Sequence, residues 1–243
     1  MRYAVLADIH GNLAALEAVL EDILIRGNVD EVWCLGDIVG YGPQPTECIK
    51  LIQQKTCVCV AGNHDLGVAG KLDLTPFNTL ALEAIKWTEQ TLNPVDIRYL
   101  ADLPLTVKKD SFTLVHGSPR DPANEYILTS STAERNFEAF ETQYCLVGHT
   151  HAPAAYKLET AGVTHVNLRA GIGLVMKEHR IIINPGAVGQ PRDGDPKASY
   201  GIYDSDGGMF RLYRVKYDVR ATQDAMVKAG LPIQLVARLG EGK

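Results

Sequence analysis

Short apolar runs alternate along this chain with amphipathic stretches, and five of the runs stop within a residue or two of a side chain that can hold a metal. They are Tyr3–Ala7 before Asp8 and His10, Val32–Leu35 before Asp37, Val58–Ala61 before Asn63 and His64, Thr113–Val115 before His116, and Cys145–Val147 before His149 and His151. Between the first runs the apolar period lengthens to that of a helix. Leu13, Leu16, Leu20, Ile23 and Leu24 form a stripe that Asn12 can cap, which predicts a helix to Arg26, and a second helix is expected near Pro45–Gln54. The first third therefore reads βαβαβ and predicts a parallel sheet. Ligands of open α/β sheets sit beyond the carboxyl ends of the strands, so five such ends gather their polar side chains in one crevice.

Residues 66–104 interrupt this rhythm. Thr75-Pro76 and Asn93-Pro94 each pair a capping residue with Pro at the first helical position, predicting two helices beside or over the crevice. Ser131 with Glu134 reads as a capping box for a helix to Thr142. After His151 the pattern becomes alternating, at Ala154–Leu158, Thr164–Asn167, Leu174–Lys177, Ile181–Asn184, Ser199–Tyr203 and Phe210–Val215, and predicts antiparallel strands forming a second sheet. Asp218–Leu239 reads as two short helices broken at Gly230-Leu231-Pro232. Two sheets face to face with helices outside give a four-layer αββα sandwich. No repeat or linker divides the chain, so residues 1–243 are expected to be a single domain with a helical insertion at 66–104.

The residue types at the strand ends fit one chemistry. Borderline divalent metals accept imidazole nitrogen and carboxylate or amide oxygen, and a two-metal centre needs about eight ligand places, with positions left for water and substrate. Asp8, His10, Asp37, Asn63, His116, His149 and His151 fill them if one residue bridges, and Asp37, a carboxylate lying between the other runs, is suited to do so. Side chains two apart in an extended chain point the same way, so Asp8 with His10, and His149 with His151, can each face one cavity. A histidine in isolation is more often a core or surface residue, but five of the seven histidines fall at these strand ends, while His165 and His179 have no supporting pattern.

Composition sets the outer limits. With 243 residues, 46% of them hydrophobic and 22% charged, the chain is an ordinary globular protein. Its net charge of −5 and lack of a Lys/Arg-rich block argue against gripping a nucleic-acid polymer. An anionic small molecule is still admitted, because two divalent ions bring about four positive charges against two ligand carboxylates. No signal peptide or membrane-length apolar run is visible, so no membrane association is expected and the expected location is cytoplasmic. Five cysteines without disulfide-like spacing fit a reducing compartment. Cys34, Cys59 and Cys145 read as small core residues.

Asp8-Ile9-His10, Gly36-Asp37, Gly62-Asn63-His64-Asp65, His116-Gly117 and Gly148-His149-Thr150-His151 together resemble the five ordered motifs of the calcineurin-like metallophosphoesterases. The resemblance spans residues 3–205, and Gly40-Tyr41-Gly42-Pro43 with Asn184–Asp193 is similar to the small prokaryotic phosphodiesterase branch. It implies the αββα fold of two mixed sheets and a dinuclear centre, one metal on Asp8, His10, Asp37 and His151, the other on Asp37, Asn63, His116 and His149. Manganese is the first expectation, with iron, zinc, nickel or cobalt as alternatives.

The implied activity is hydrolysis of a small phosphate ester or nucleotide, most of all a phosphodiester, by direct attack of a hydroxide bridging both ions. His64 is implied to face the substrate, not the metal. As an imidazolium it can stabilise phosphoryl oxygens and give a proton to the leaving alkoxide, with Asp65 holding its other ring nitrogen and keeping it charged. Tyr41 can stack on a base or leaving group, and Arg192, in a loop rich in Gly and Pro, can bind an anion. Two other readings stand beside this one. A DNA nuclease usually carries DNA-gripping segments that neither length nor charge supports here. A non-catalytic protein-binding scaffold of the same fold could lose His64 and the complete ligand set freely.

Overall fold

The computed structural model describes residues 1–243 and places twelve strands in two six-stranded sheets. In chain order the strands are β1 Arg2–Leu6, β2 Glu31–Cys34, β3 Val58–Cys59, β4 Thr106–Lys109, β5 Phe112–Val115, β6 Tyr144–Leu146, β7 Ala154–Glu159, β8 Gly162–Val166, β9 Gly173–Val175, β10 Arg180–Asn184, β11 Ala198–Asp204 and β12 Met209–Val215. The helices are α1 Leu13–Arg26, α2 Pro45–Lys55, α3 Asn63–Val68, α4 Thr79–Thr91, α5 Pro94–Asp102, α6 Ser130–Phe137, α7 Val219–Lys228 and α8 Ile233–Glu241. One sheet runs β3-β2-β1-β11-β12-β9 and the other β4-β5-β6-β10-β7-β8.

Side-chain alternation assigns the layers. On β1, Ala4 and Leu6 pack with Leu16, Val19 and Ile23 of α1 and Ile49 and Ile52 of α2. Their neighbours Tyr3 and Val5 point the other way, into a core between the sheets shared with Trp33, Phe112, Tyr144, Ile181 and Ile183. Ile182, one residue out of phase, joins Cys145 against Ala133, Phe137 and Phe140 around α6. Three apolar layers between four layers of secondary structure make the αββα sandwich. Period two on a strand buried on both faces is what separates them.

Sheet membership differs from the expectation. The late strands do not form a sheet of their own. β11 inserts beside β1, antiparallel, with Val5 opposite Gly201, and carries β12 and β9 into the first sheet. β10 lies parallel to β6 and carries β7 and β8 into the second. The five ligand-bearing strands are split accordingly: β1, β2 and β3 in one sheet, β5 and β6 in the other. β4, which the sequence pattern did not mark, pairs with β5.

Helix boundaries follow capping chemistry. Asn12 accepts from Ala15 N and opens α1, and Asn93 accepts from Val95 N and Asp96 N and opens α5, both as expected. The helix expected at Pro76 starts later, because Asn78 caps α4 through Ala81 N while Thr75 bonds Asp73. The helix expected from Ser131 is capped by Thr129 and stops at Phe137. The tail breaks as expected into α7 and α8, which pack on α4 and Tyr41 through Met226, Leu235 and Leu239. No helix is long and apolar enough to cross a membrane.

Candidate metal centre

Seven side chains meet where the two sheets present the carboxyl ends of β1, β2, β3, β5 and β6. Oxygen or nitrogen atoms of Asp8, His10, Asp37 and His151 lie within 4.8 Å of one another, and so do those of Asp37, His116 and His149. The Asn63 amide oxygen is 3.1 Å from His116 Nε2. All seven residues are buried, the most open, Asn63, by only 7% of its surface. The loops that carry them are laced together by main chain: Asp8 N donates to Gly36 O, and Ile9 N and His10 N both donate to Asp37 O at 2.8 and 2.9 Å.

Local geometry explains the glycines and exposes strain. A Cβ at Gly62 would lie 2.0 Å from Asp37 Oδ1, so only glycine lets the β3 loop approach this carboxylate. Asp8, His10, Asp37, His149 and His151 have left-handed φ of 54°, 50°, 53°, 67° and 59°. For residues with a Cβ this costs on the order of 1 kcal/mol or more each, and it persists only where the surroundings over-determine it.

The donors converge on space that wants a cation. A carbonyl can only accept, so His10 Nδ1 donates to Val39 O at 3.0 Å, His151 Nδ1 to Gln190 O at 2.7 Å and His116 Nδ1 to Leu35 O at 2.8 Å. These bonds fix the tautomers and turn each Nε2 inward. His10 Nε2 and His151 Nε2 then face each other at 3.1 Å, and burial, the largest effect, holds both imidazoles well below their usual pKa. Two neutral rings set lone pair to lone pair repel unless something positive lies between them. Asp8 Oδ2 and Asp37 Oδ2 are buried without any hydrogen-bond partner, a state that costs several kcal/mol unless a charge compensates it. The donor set thus fits divalent metal, with no thiolate among it.

Pairing within the cage shifts the titration of its own members. Burial disfavours the His116 imidazolium, yet the Asp37 carboxylate, 3.3 Å from Nε2, outweighs it and raises the pKa to about 10. Burial likewise works against the Asp37 carboxylate, but His116 and His64 keep it well below the ordinary range. Burial pushes Asp8 up to about 7 and His149 down to about 3.

Asp65 corrects the expectation. Its Oδ1 accepts from Ile38 N at 2.9 Å and Val39 N at 3.2 Å, and its Oδ2 from Gly62 N at 3.0 Å. It clasps the β2 loop to the β3 loop and does not hold the His64 ring, whose Nδ1 is buried without a partner against Gly40. Burial, the largest effect, lowers His64 to about 4 with Arg192 adding to it, so near neutral pH the ring is neutral, not the expected imidazolium.

His64 nonetheless faces outward from the cage. Its backbone N donates to Asp37 Oδ1 at 2.8 Å, and its ring, 4.4 Å from that of Tyr41, lines a cavity of about 120 Å³ with Asn63, Phe77, Tyr126 and His149. Arg192 is held to the cage rim: its N donates to His151 O at 3.1 Å and its guanidinium stands 5.8 Å from the centre of the Tyr41 ring.

Two residues of the site, Tyr126 and Asn124, left no mark in the pattern. Tyr126 stacks on His149 with ring centres 3.8 Å apart, and Asn124 O accepts from His149 Nε2 at 3.2 Å. Both lie in an irregular segment with neither periodicity nor motif. Asn184, at the end of β10, donates to Thr150 Oγ1 at 2.9 Å and so braces the His149–His151 turn.

Fold and cage together define an α/β sandwich with a candidate metal centre between its two sheets. The chain belongs to the calcineurin-like phosphoesterase superfamily, whose domain profile matches residues 1–208. The uncharacterized protein MJ0912 of Methanocaldococcus jannaschii is 38% identical over 244 residues, covering 99% of this chain and 98% of that protein. The crystal structure of a metallophosphoesterase from Sphaerobacter thermophilus superposes with a TM-score of 0.91 at 45% identity, over 100% of this chain and 99% of that one. A symmetrical bis(5'-nucleosyl)-tetraphosphatase of Pseudomonas syringae pv. syringae is 36% identical over 89 residues, which is 35% of this chain and 30% of that protein.

Proposed function

We propose that this chain is a dinuclear metal-dependent phosphodiesterase acting on a small phosphate ester or nucleotide. The observation that carries the reading is the cage itself: inward-turned imidazole nitrogens and two orphaned carboxylate oxygens, with Asn63 and His149 of the same cage lining an aromatic-walled cavity. Asp8, His10, Asp37 and His151 would hold one ion, and Asp37, Asn63, His116 and His149 the other. When bound, the ions supply Lewis acidity toward phosphoryl oxygens and lower the pKa of water for in-line attack. The partial match to a nucleotide tetraphosphatase supports a small nucleotide as the substrate class.

The chain's own residues place the ester. Tyr126 and Phe77 offer aromatic faces to a base or aryl group, and Arg192 offers a guanidinium to a phosphate oxygen. His64, neutral when the site is empty of anion, donates a ring N–H to a phosphoryl or leaving oxygen, and it can hand over a proton only after the bound anion has raised its pKa. Manganese is the metal proposed. Chelation should abolish hydrolysis of bis-p-nitrophenyl phosphate and added Mn²⁺ should restore it, whereas full activity in metal-stripped protein refutes the reading.

A further inference from the structure

A second cavity, of about 480 Å³, lies beside the one over the cage and is lined by Tyr41, Asn78, Arg192, Arg238, Glu241 and Lys243. Tyr41 and Asn78 wall both spaces, so the two adjoin. The fold builds this basin deliberately from distant parts of the chain. Gly194 N donates to Gly242 O at 3.0 Å, and Gly242, with φ 65°, approaches so closely that a Cβ there would lie 2.8 Å from Asp195 N. The last turn of α8 is thereby pinned to the loop that carries Arg192, and Arg238 on that turn is brought alongside.

Arg238 is half buried and its guanidinium pairs with no carboxylate, while Lys243 beside it is paired with Glu241 at 2.9 Å. Arg192 donates from Nη2 to Gln190 Oε1 at 2.8 Å and stands beside the Tyr41 and Tyr126 phenols, but its guanidinium likewise pairs with no carboxylate. Guanidinium groups match phosphate oxygens in pairs, and a half-buried one without a partner has lost part of its hydration for nothing in return. A lone diester at the cage would leave this positive charge unused. We propose that the basin seats a further phosphate of the substrate, so that the substrate class is a nucleotide carrying a chain of phosphates, its base against Tyr126 and Phe77. This rests on the phosphoesterase reading. Hydrolysis consumes one water, whose oxygen forms the new P–O bond. The bridging P–O bond breaks with its electron pair going to the departing phosphate oxygen, and the protons of the water pass to the products or to solvent.

The test uses the Mn²⁺-loaded enzyme with free Mn²⁺ held constant, and AMP and ATP as competitors of bis-p-nitrophenyl phosphate hydrolysis. ATP should inhibit about tenfold or more strongly than AMP, the size of one or more charge-assisted contacts. In Arg238→Ala, and in Arg238→Gln as a second variant of different bulk, the two should come within about threefold of each other, with Arg238→Lys between. Equal inhibition by AMP and ATP in the wild-type enzyme, or an unchanged ratio in folded Arg238 variants, overturns the proposal. Should no divalent metal support aryl diester hydrolysis, the phosphoesterase reading falls by itself, and calorimetric titration with AMP and ATP still decides the basin by the same ratio.

Discussion

Asp8, His10, Asp37 and His151, on one side of the cage, all stand in left-handed backbone and none is more than 2% exposed. On the other side, Asn63 and His149 are 7% and 4% exposed, form part of the cavity wall, and only His149 adds a left-handed φ to that of the shared Asp37. The first half concentrates strain and both carboxylates where water does not reach. The second sets Asn63, His116 and His149 beside one shared carboxylate, with Asn63 and His149 reaching the cavity wall. Under the proposed two-metal reading, charge and burial together would make the first half the tighter metal site and the second the one that exchanges and meets the ester.

The largest effect should come from the residue that belongs to both halves. Asp37→Asn is expected to lower the occupancy of both sites and cost ~10³-fold or more in kcat, because it removes the charge the two ions would share and puts an amide N–H₂ either toward the ions or against His64 N. Asp8→Asn should empty mainly the deep half, leaving about one ion per chain. Elemental analysis separates these outcomes, and two tightly held ions in the Asp37 variant would refute the bridge.

The next effect lies on the cavity side alone. His64→Ala should keep both ions yet lose about 10²-fold in kcat on a diester with a poor leaving group, and clearly less with p-nitrophenolate. Equal losses on both substrates would leave His64 only a hydrogen-bonding role, and loss of metal would place it in the cage.

Protonation sharpens the comparison further. Asp8, at about 7, and His116, at about 10, must both lose protons to bind metal, so Mn²⁺ affinity should rise with pH and uptake should release protons to buffer, measurable by calorimetry in buffers of different ionisation heat. Stability follows from the same shifts. Asp8's raised pKa stabilises the metal-free fold fully below its unfolded value of 3.8, and that contribution is gone by about 7; His116's is full below 6.5 and gone by about 10. Between pH 7 and 10 the Tm of metal-free protein should therefore fall relative to that of the Mn²⁺-loaded protein. A constant difference would contradict the assignment of the His116–Asp37 pair.

The smallest effect is assigned to Asp65. Asp65→Asn sets an amide N–H₂ against at least one of the backbone donors Gly62 N, Ile38 N and Val39 N, which should cost about 1–3 kcal/mol of stability with metal content and leaving-group dependence unchanged. A loss that follows the leaving group, as at His64, would restore a direct catalytic part to Asp65.

That contrast also shows what a sequence can carry. Asp8, His10, Asp37, Asn63, His116, His149 and His151 were legible because each ends an apolar run, and strand ends are where an α/β sandwich presents polar groups. α1 and α5 were legible because Asn12 and Asn93 each cap the helix that begins at the next residue. Asp65 was not, since a carboxylate accepts from an imidazole or from three backbone amides equally well, and only the approach of the β2 loop decides. Sheet membership was hidden because β10 and β11 have the alternation of any buried strand, and their partners, β6 and β1, are set by packing between distant segments. Tyr126 and Arg238 act through where irregular chain and a C-terminal helix come to rest, which no local period encodes.

The most direct test of a cage with a tight deep half and a cavity-side half is stepwise titration of Mn²⁺ into metal-stripped protein with bis-p-nitrophenyl phosphate hydrolysis followed at each step. The account predicts that the first equivalent binds tightly with little activity and that turnover rises with the second, weaker one. Saturation of activity at one equivalent, or turnover before any metal is added, would contradict it.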